Sequence, residues 1–229
     1  MKCDNGSQES VNLSRRQICC GIGLSLISMT VKGGDTDGSI PNQKFRVFPQ
    51  TFSMEKVFIE PPPNSDLAEA DELLKMKKLR TPERLQQISR ENENPIPLFW
   101  SEAGLSEDNY PAISRKVYDA VFDVAIVVLN LKKQFNRKRP SAVLTTIDPV
   151  IPVPWHASYP NGHATQSIVI AAILSESFPE HAAGLQALAS QVGRNREIAG
   201  LHFPSDTDAG FALGKQLAKY LVTTTLIEP

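Results

Sequence analysis

The chemistry of this sequence concentrates in three short segments. Lys132 and Arg139 stand seven residues apart, with Pro140 directly after the arginine. Pro160, Asn161, Gly162 and His163 follow in a row, and Arg196, His202 and Asp206 come next. Together they bring fixed cations, two imidazoles and a carboxylate. Such a set can seize an oxyanion and pass a phosphoryl group through histidine.

Each segment alone also has a plain structural reading. Lys132 and Arg139 lie almost two helical turns apart, so both project from one face and can converge on one anion. Cations at a helix C-terminus are also favoured by the dipole alone. Pro160–His163 sits where a proline-rich loop enters a helix. Free N–H groups and the dipole there favour an anion, and Gly162 allows close approach to the backbone. His163 in that turn can equally be a packed side chain. His202 and Asp206 are the sharper pair. Pro204 sets the first turn of the last helix, so Asp206 can reach back to the His202 imidazole. A carboxylate on one ring nitrogen fixes the tautomer and raises the basicity of the other. Arg196, near the end of the preceding helix, can turn toward the same pocket.

The elements that must position these residues read as helices. Asn64, Ser65 and Asp66 offer caps for a helix to about residue 78, and Thr81-Pro82 starts another to about 90. Residues 92–97 read as a loop. From Pro111, Val117, Val121, Val124, Val128 and Leu131 recur at helical spacing, as do Phe122, Ala125 and Leu129. That predicts a central buried helix, ending before Pro140. The prolines over 141–160 predict a loop. Helices are expected over 163–178, 179–199 and from 204 to about 224. There is no strand alternation and no repeat. The expected fold is all-α, a compact helical bundle. Trp100 and Trp155 are expected in the core, and His156 is not counted among the site residues.

The 229 residues suit one domain with a real core. A formal net charge of -1 gives no broad attraction for nucleic acid. Cys3, Cys19 and Cys20 all precede Gly21, so thiolate catalysis and zinc–thiolate sites are excluded from the rest. Arg15 and Arg16 precede an uncharged, mainly apolar run from Ile18 to Val31, which resembles a twin-arginine export signal. The expected division is an export signal over 1–34, a linker over 35–56 and the catalytic domain over 57–229. The expected location is outside the cytoplasm, in the periplasm.

The three segments in this order resemble the signature of the phosphatases and haloperoxidases related to type 2 phosphatidic acid phosphatase: Lys-x6-Arg-Pro, Pro-Ser-Gly-His and Ser-Arg-x5-His-x3-Asp. Within that superfamily the chain is most similar to the bacterial class A non-specific acid phosphatases, over roughly residues 58–220. The resemblance implies an acid phosphatase that takes a small phosphomonoester, without cofactor, metal, nucleic acid or membrane span. It leaves a homo-oligomer open. It implies that His202 attacks phosphorus, that Asp206 orients it, and that His163 protonates the leaving group. Lys132, Arg139, Asn161, Gly162 and Arg196 are implied to bind the phosphate. Asn161 and Asn195 stand where the signature has serine. The alternatives are a vanadate-dependent haloperoxidase, against which the short connector between the first two motifs counts, and an inactive or weakly active phosphate-binding homologue.

Overall fold

A computed structural model describes residues 44–222. The stretch expected to be an export signal lies outside them. Among the described residues there are helices and loops and no strand, so the all-α expectation holds. The helices are α1 (Ala70–Met76), α2 (Pro82–Glu93), α3 (Ile96–Glu102), α4 (Pro111–Phe135), α5 (Pro140–Val143), α6 (Gly162–Ser177), α7 (Ala182–Ile198) and α8 (Pro204–Ala218). No helix among the described residues is long and apolar enough to cross a membrane.

Helix starts follow the local chemistry. Thr81 caps α2 by accepting the Arg84 N–H at 3.2 Å, with Pro82 in the first turn. α3 departs from the expected loop at 92–97. Pro95 and Pro97 read as breakers, but proline is tolerated at a helix start. Burial of Ile96, Phe99 and Trp100 then holds this short helix in place.

In α4 the predicted apolar face is buried at Val117, Val121, Val124, Val128 and Leu131. Of the second set only Ala125 is buried; Leu129 is partly exposed, and so is Phe122, with the Arg46 guanidinium 3.5 Å over its ring. α4 stops at Asn136, whose φ of 46° is left-handed and whose N–H bonds Lys132 O at 2.9 Å. Asparagine tolerates that conformation. The reversal carries Arg137 and Arg139 back over the end of the bundle.

The hub is α6 rather than α4, since α6 packs on α4, α7 and α8. Two glycines of α8 permit this closeness. A Cβ on Gly210 would lie 2.5 Å from the Asn161 carbonyl oxygen, and one on Gly214 2.8 Å from that of Thr165. The backbones therefore nearly touch, and Asp206 O accepts the Asn161 N–H at 2.8 Å. The starts of α6 and α8 are thereby fixed against each other.

The expected linker over 35–56 is corrected over its described part. Phe48 and Phe52 are buried in the main core, with Phe45 packed beside them. Phe48 stacks on Phe52 at 4.3 Å, and Phe52 meets Tyr220 edge-on at 5.1 Å. The buried Asp123 carboxylate accepts the backbone N–H groups of Arg46, Val47 and Phe48 at 2.8, 2.8 and 3.0 Å. Polar composition suggested a linker, but three aromatic rings and one buried carboxylate tie this segment to α4.

Candidate active site

The start of α6, the end of α7, the turn between α7 and α8 and the loop before α6 border a cavity of about 340 Å³. Arg139, Gly162, His163, Arg196 and His202 line it, together with the loop Pro152–His156. A larger depression of about 390 Å³ around Trp100 and Gly104 gathers no comparable set of cations.

His202 is buried, and its two ring nitrogens have different partners. Nδ1 lies 3.2 Å from Asp206 Oδ2, and Nε2 lies 2.9 Å from Arg139 Nη1. Arginine can only donate, so Nε2 accepts and Nδ1 carries the proton toward Asp206. Asp206 is fully buried in the first turn of α8. Its Oδ2 also accepts from Phe203 N at 2.9 Å and from Ser158 Oγ. Its Oδ1 accepts from Arg137 Nη1 at 2.7 Å. Burial and the nearby Arg139 and Lys132 push the His202 imidazole well below its ordinary range. It is therefore a neutral ring with its lone pair on Nε2.

The cations differ in how they face the cavity. Arg139 donates to Leu201 O at 2.9 Å and, through Nη2, lies 3.0 Å from His156 Nδ1. Burial lowers its pKa to about 10, with Asp206 opposing. Arg196, at the end of α7, is held by Ile88 O and Glu91 Oε2, each at 3.0 Å. Its Nε is buried without a protein partner. Lys132 stands behind the wall rather than in it. Its Nζ donates to Ala157 O and Ser158 O at 2.8 and 2.7 Å. Burial, then Arg139, pushes that ammonium well below the usual lysine range.

His163 is partly buried in the first turn of α6, and its Nε2 is buried and unpartnered. Burial, then Arg196, pushes it well below the ordinary imidazole range. His156, which the sequence reading left out, also lines the cavity with a buried, unpartnered Nε2. Its Nδ1 lies 3.0 Å from Arg139 Nη2 and 3.1 Å from Ala157 O. Burial and then Lys132 and Arg139 lower its pKa to about 3. His156 has no spacing signal of its own. It reaches the cavity because the loop folds over Arg139.

Asn161 is not brought to the cavity, contrary to the implied phosphate contact. Its Oδ1 caps α6 by accepting Ala164 N at 3.2 Å, and its Nδ2 donates to Gly193 O at 3.3 Å and Thr207 Oγ1 at 3.1 Å. A serine is too short to span these acceptors, so the amide serves the junction of α6, α7 and α8. Asn195, at the other serine position, donates to Glu91 Oε1 at 2.7 Å. Trp155 is also corrected: it is 86% exposed at the cavity mouth instead of buried, whereas Trp100 is in the core as expected.

Arg137 was missed altogether. It is buried, with Nε 2.9 Å from Asp66 Oδ1, Nη2 2.7 Å from Glu69 Oε2 and Nη1 on Asp206. Its guanidinium lies 4.2 Å over the Phe203 ring. In the run Arg137-Lys138-Arg139 nothing in the spacing singles it out. Among the described residues no group of three His, Cys, Asp or Glu stands where it could hold a metal ion.

Convergent cations, neutral imidazoles and one buried carboxylate at one end of a helical bundle are an arrangement that can hold an oxyanion. Residues 120–226, a little under half of the chain, match the model of the PAP2 superfamily. Over 59 residues (26% of the chain) it is 41% identical to a protein of Salmonella typhimurium named non-specific acid phosphatase, covering 24% of that protein. Over 88 residues (36% of the chain) it is 34% identical to an acid phosphatase of Zymomonas mobilis, covering 33% of it. The matched stretches thus span about a quarter to a third of these curated relatives' length. In structure the chain is similar to a bacterial vanadium-dependent iodoperoxidase, with a TM-score of 0.62 and 18% identity over 76% of this chain and 54% of that one. It is also similar to LpxE of Aquifex aeolicus, with a TM-score of 0.55 and 21% identity over 71% of this chain and 98% of that one. These two likenesses establish the fold.

Proposed function

We propose that the chain is an acid phosphatase, hydrolysing small phosphomonoesters through a phosphohistidine on His202. The observation that carries this reading is the tautomer of His202. Asp206 Oδ2 accepts a hydrogen bond from the Nδ1–H, which leaves the lone pair on Nε2, against Arg139.

A dianionic phosphate draws the Arg139 guanidinium onto its oxygens and frees Nε2. The unpartnered Arg196 Nε and the Gly162 N–H add donors, and Lys132 adds charge from behind. Nε2 attacks phosphorus in line, and the N–P bond forms as the ester P–O bond breaks. The bound dianion raises the His163 imidazole from its depressed state, so that it carries a proton to give to the leaving oxygen. His163 then takes a proton from water, the hydroxide attacks phosphorus, and the N–P bond breaks to release phosphate. Guanidinium and ammonium groups neutralise the charge, and no metal enters the scheme. Segment 1–34 would export the enzyme to the periplasm.

The test is p-nitrophenyl phosphate hydrolysis in EDTA, with His202→Ala beside the wild type. We expect EDTA-resistant turnover that falls at least about a thousandfold in the variant, and a phosphoenzyme trapped by acid quench in the wild type only. Equal inactivity of both proteins overturns the reading. Phosphate binding without turnover would mark a binding homologue. Peroxide-dependent halide oxidation after vanadate addition, without ester hydrolysis, would mark a haloperoxidase.

A further inference from the structure

One stretch of the cavity lining, next to the Arg139 cation, is apolar and solvent-facing. Pro152, Val153, Pro154 and Trp155 all line the cavity. Val153 is 44% exposed and Trp155 86% exposed, the latter the most exposed large hydrophobic side chain among the described residues. An indole held in water forfeits much of the 150–250 Å² that a tryptophan can bury. The two prolines stiffen the backbone of the loop that carries the ring. Trp155 meets His156 edge-on, with centroids 5.6 Å apart and planes at 78°. The loop therefore turns its imidazole into the phosphate end and its indole outward over the mouth.

From this juxtaposition we infer that Trp155 is a specificity-determining residue that selects phosphomonoesters whose leaving group carries an aromatic ring. The inference rests on reading the cavity as a phosphate-ester site. An ester anchored by Arg139 and Arg196 must send its leaving group out through the mouth, where Trp155 and Val153 offer the apolar surface. A flat ring satisfies the indole by stacking and keeps its own polar edge in water. The volume of about 340 Å³ is at the small end for ligand pockets, which suits a phosphate with one ring better than a diacyl lipid.

Benzyl and ethyl phosphate provide the test, because both release a primary alkoxide and differ in the ring. Their non-hydrolysable counterparts, benzylphosphonate and ethylphosphonate, report binding alone by calorimetry. In the wild type we expect the benzyl compound to be favoured roughly 3- to 10-fold, both in kcat/KM and in affinity, with the kinetic preference carried by KM. In Trp155→Ser both ratios should fall toward one, and in Trp155→Phe most of the preference should survive. Phe58→Ser, which removes another exposed ring away from the cavity, should leave the ratios unchanged. A wild-type phosphonate ratio near one, or the same ratio in Trp155→Ser, overturns the inference. If neither ester turns over but the phosphonate ratio depends on Trp155, the inference stands and the hydrolase reading falls.

Discussion

Arg137 Nη1 donates to Asp206 Oδ1 at 2.7 Å, on the carboxylate oxygen that His202 does not use. The same guanidinium ties Asp206 to Asp66 and Glu69, which lie just before α1. Glu69 in turn accepts Ser205 N and Ser205 Oγ, each at 2.7 Å. The carboxylate that orients the His202 ring is thus fixed from the far side by Arg137, 69 residues away in sequence, which Asp66 and Glu69 hold in turn.

Arg137→Gln should therefore be costly in two ways. It leaves Asp206 buried beside two further carboxylates without their cation, a loss of about 3–5 kcal/mol where one partner of a buried pair is removed. It also loosens Asp206, so kcat should fall at temperatures where the variant is still folded. Urea unfolding and initial rates check both. Arg137→Lys should recover part of the stability, because it restores charge without the fork. Unchanged kcat in folded Arg137→Gln would remove the positioning role.

The imidazoles make the free protein sensitive to acid. His156 titrates at about 3, and His163 and His202 lie well below their ordinary range. The unfolded chain takes up these protons near pH ~6.5 while the folded chain does not, so unfolding free energy falls as pH is lowered. This stability is present above about pH 6.5 and is lost progressively as pH falls toward 3, by up to ~1.4 kcal/mol per pH unit for each imidazole. Urea midpoints between about pH 7.5 and 5 should show this slope. Inorganic phosphate should flatten it, because a dianion in the cavity raises the imidazole pKa values. His156→Gln should reduce it by one imidazole.

Asn161→Ala removes the α6 cap and leaves Thr207 Oγ1 and Gly193 O without their donor. Loss of a cap costs about 0.5–2 kcal/mol, and the orphaned acceptors add to it. Asn161→Ser keeps a cap but cannot span the same acceptors, so it should fall between wild type and alanine. Thermal melting ranks the three proteins. If Asn161→Ala instead weakened phosphate binding with no loss of stability, the amide would have to face the cavity in solution.

Asp123→Ala should release the segment around residues 45–52. Three backbone N–H groups would lose their acceptor, and the buried one, that of Phe48, costs roughly 1–3 kcal/mol when left unsatisfied. Limited proteolysis should then cut between Arg46 and Lys56 before it cuts the helical bundle. Cleavage no faster than in the wild type would show that the aromatic contacts hold the segment by themselves.

The sequence by itself determined what depends on neighbours along the chain. Apolar spacing marked α4, Thr81-Pro82 marked the start of α2, and Arg139, Gly162, His163, Arg196, His202 and Asp206 were legible because the chemistry fixes both residue type and spacing. The i to i+4 reach of Asp206 to His202 is itself local geometry. What tertiary structure decided are the relations between distant segments. Only packing shows that Arg137, rather than Lys138, is buried on Asp206. Only the close approach of α8 to α6 turns Asn161 into the junction and away from the cavity. Only the path of the 152–156 loop puts His156 inside and Trp155 outside. A side chain's partner depends on which segments meet it in space, and burial then sets its protonation. Neither quantity has a period or a spacing that can be read along the chain.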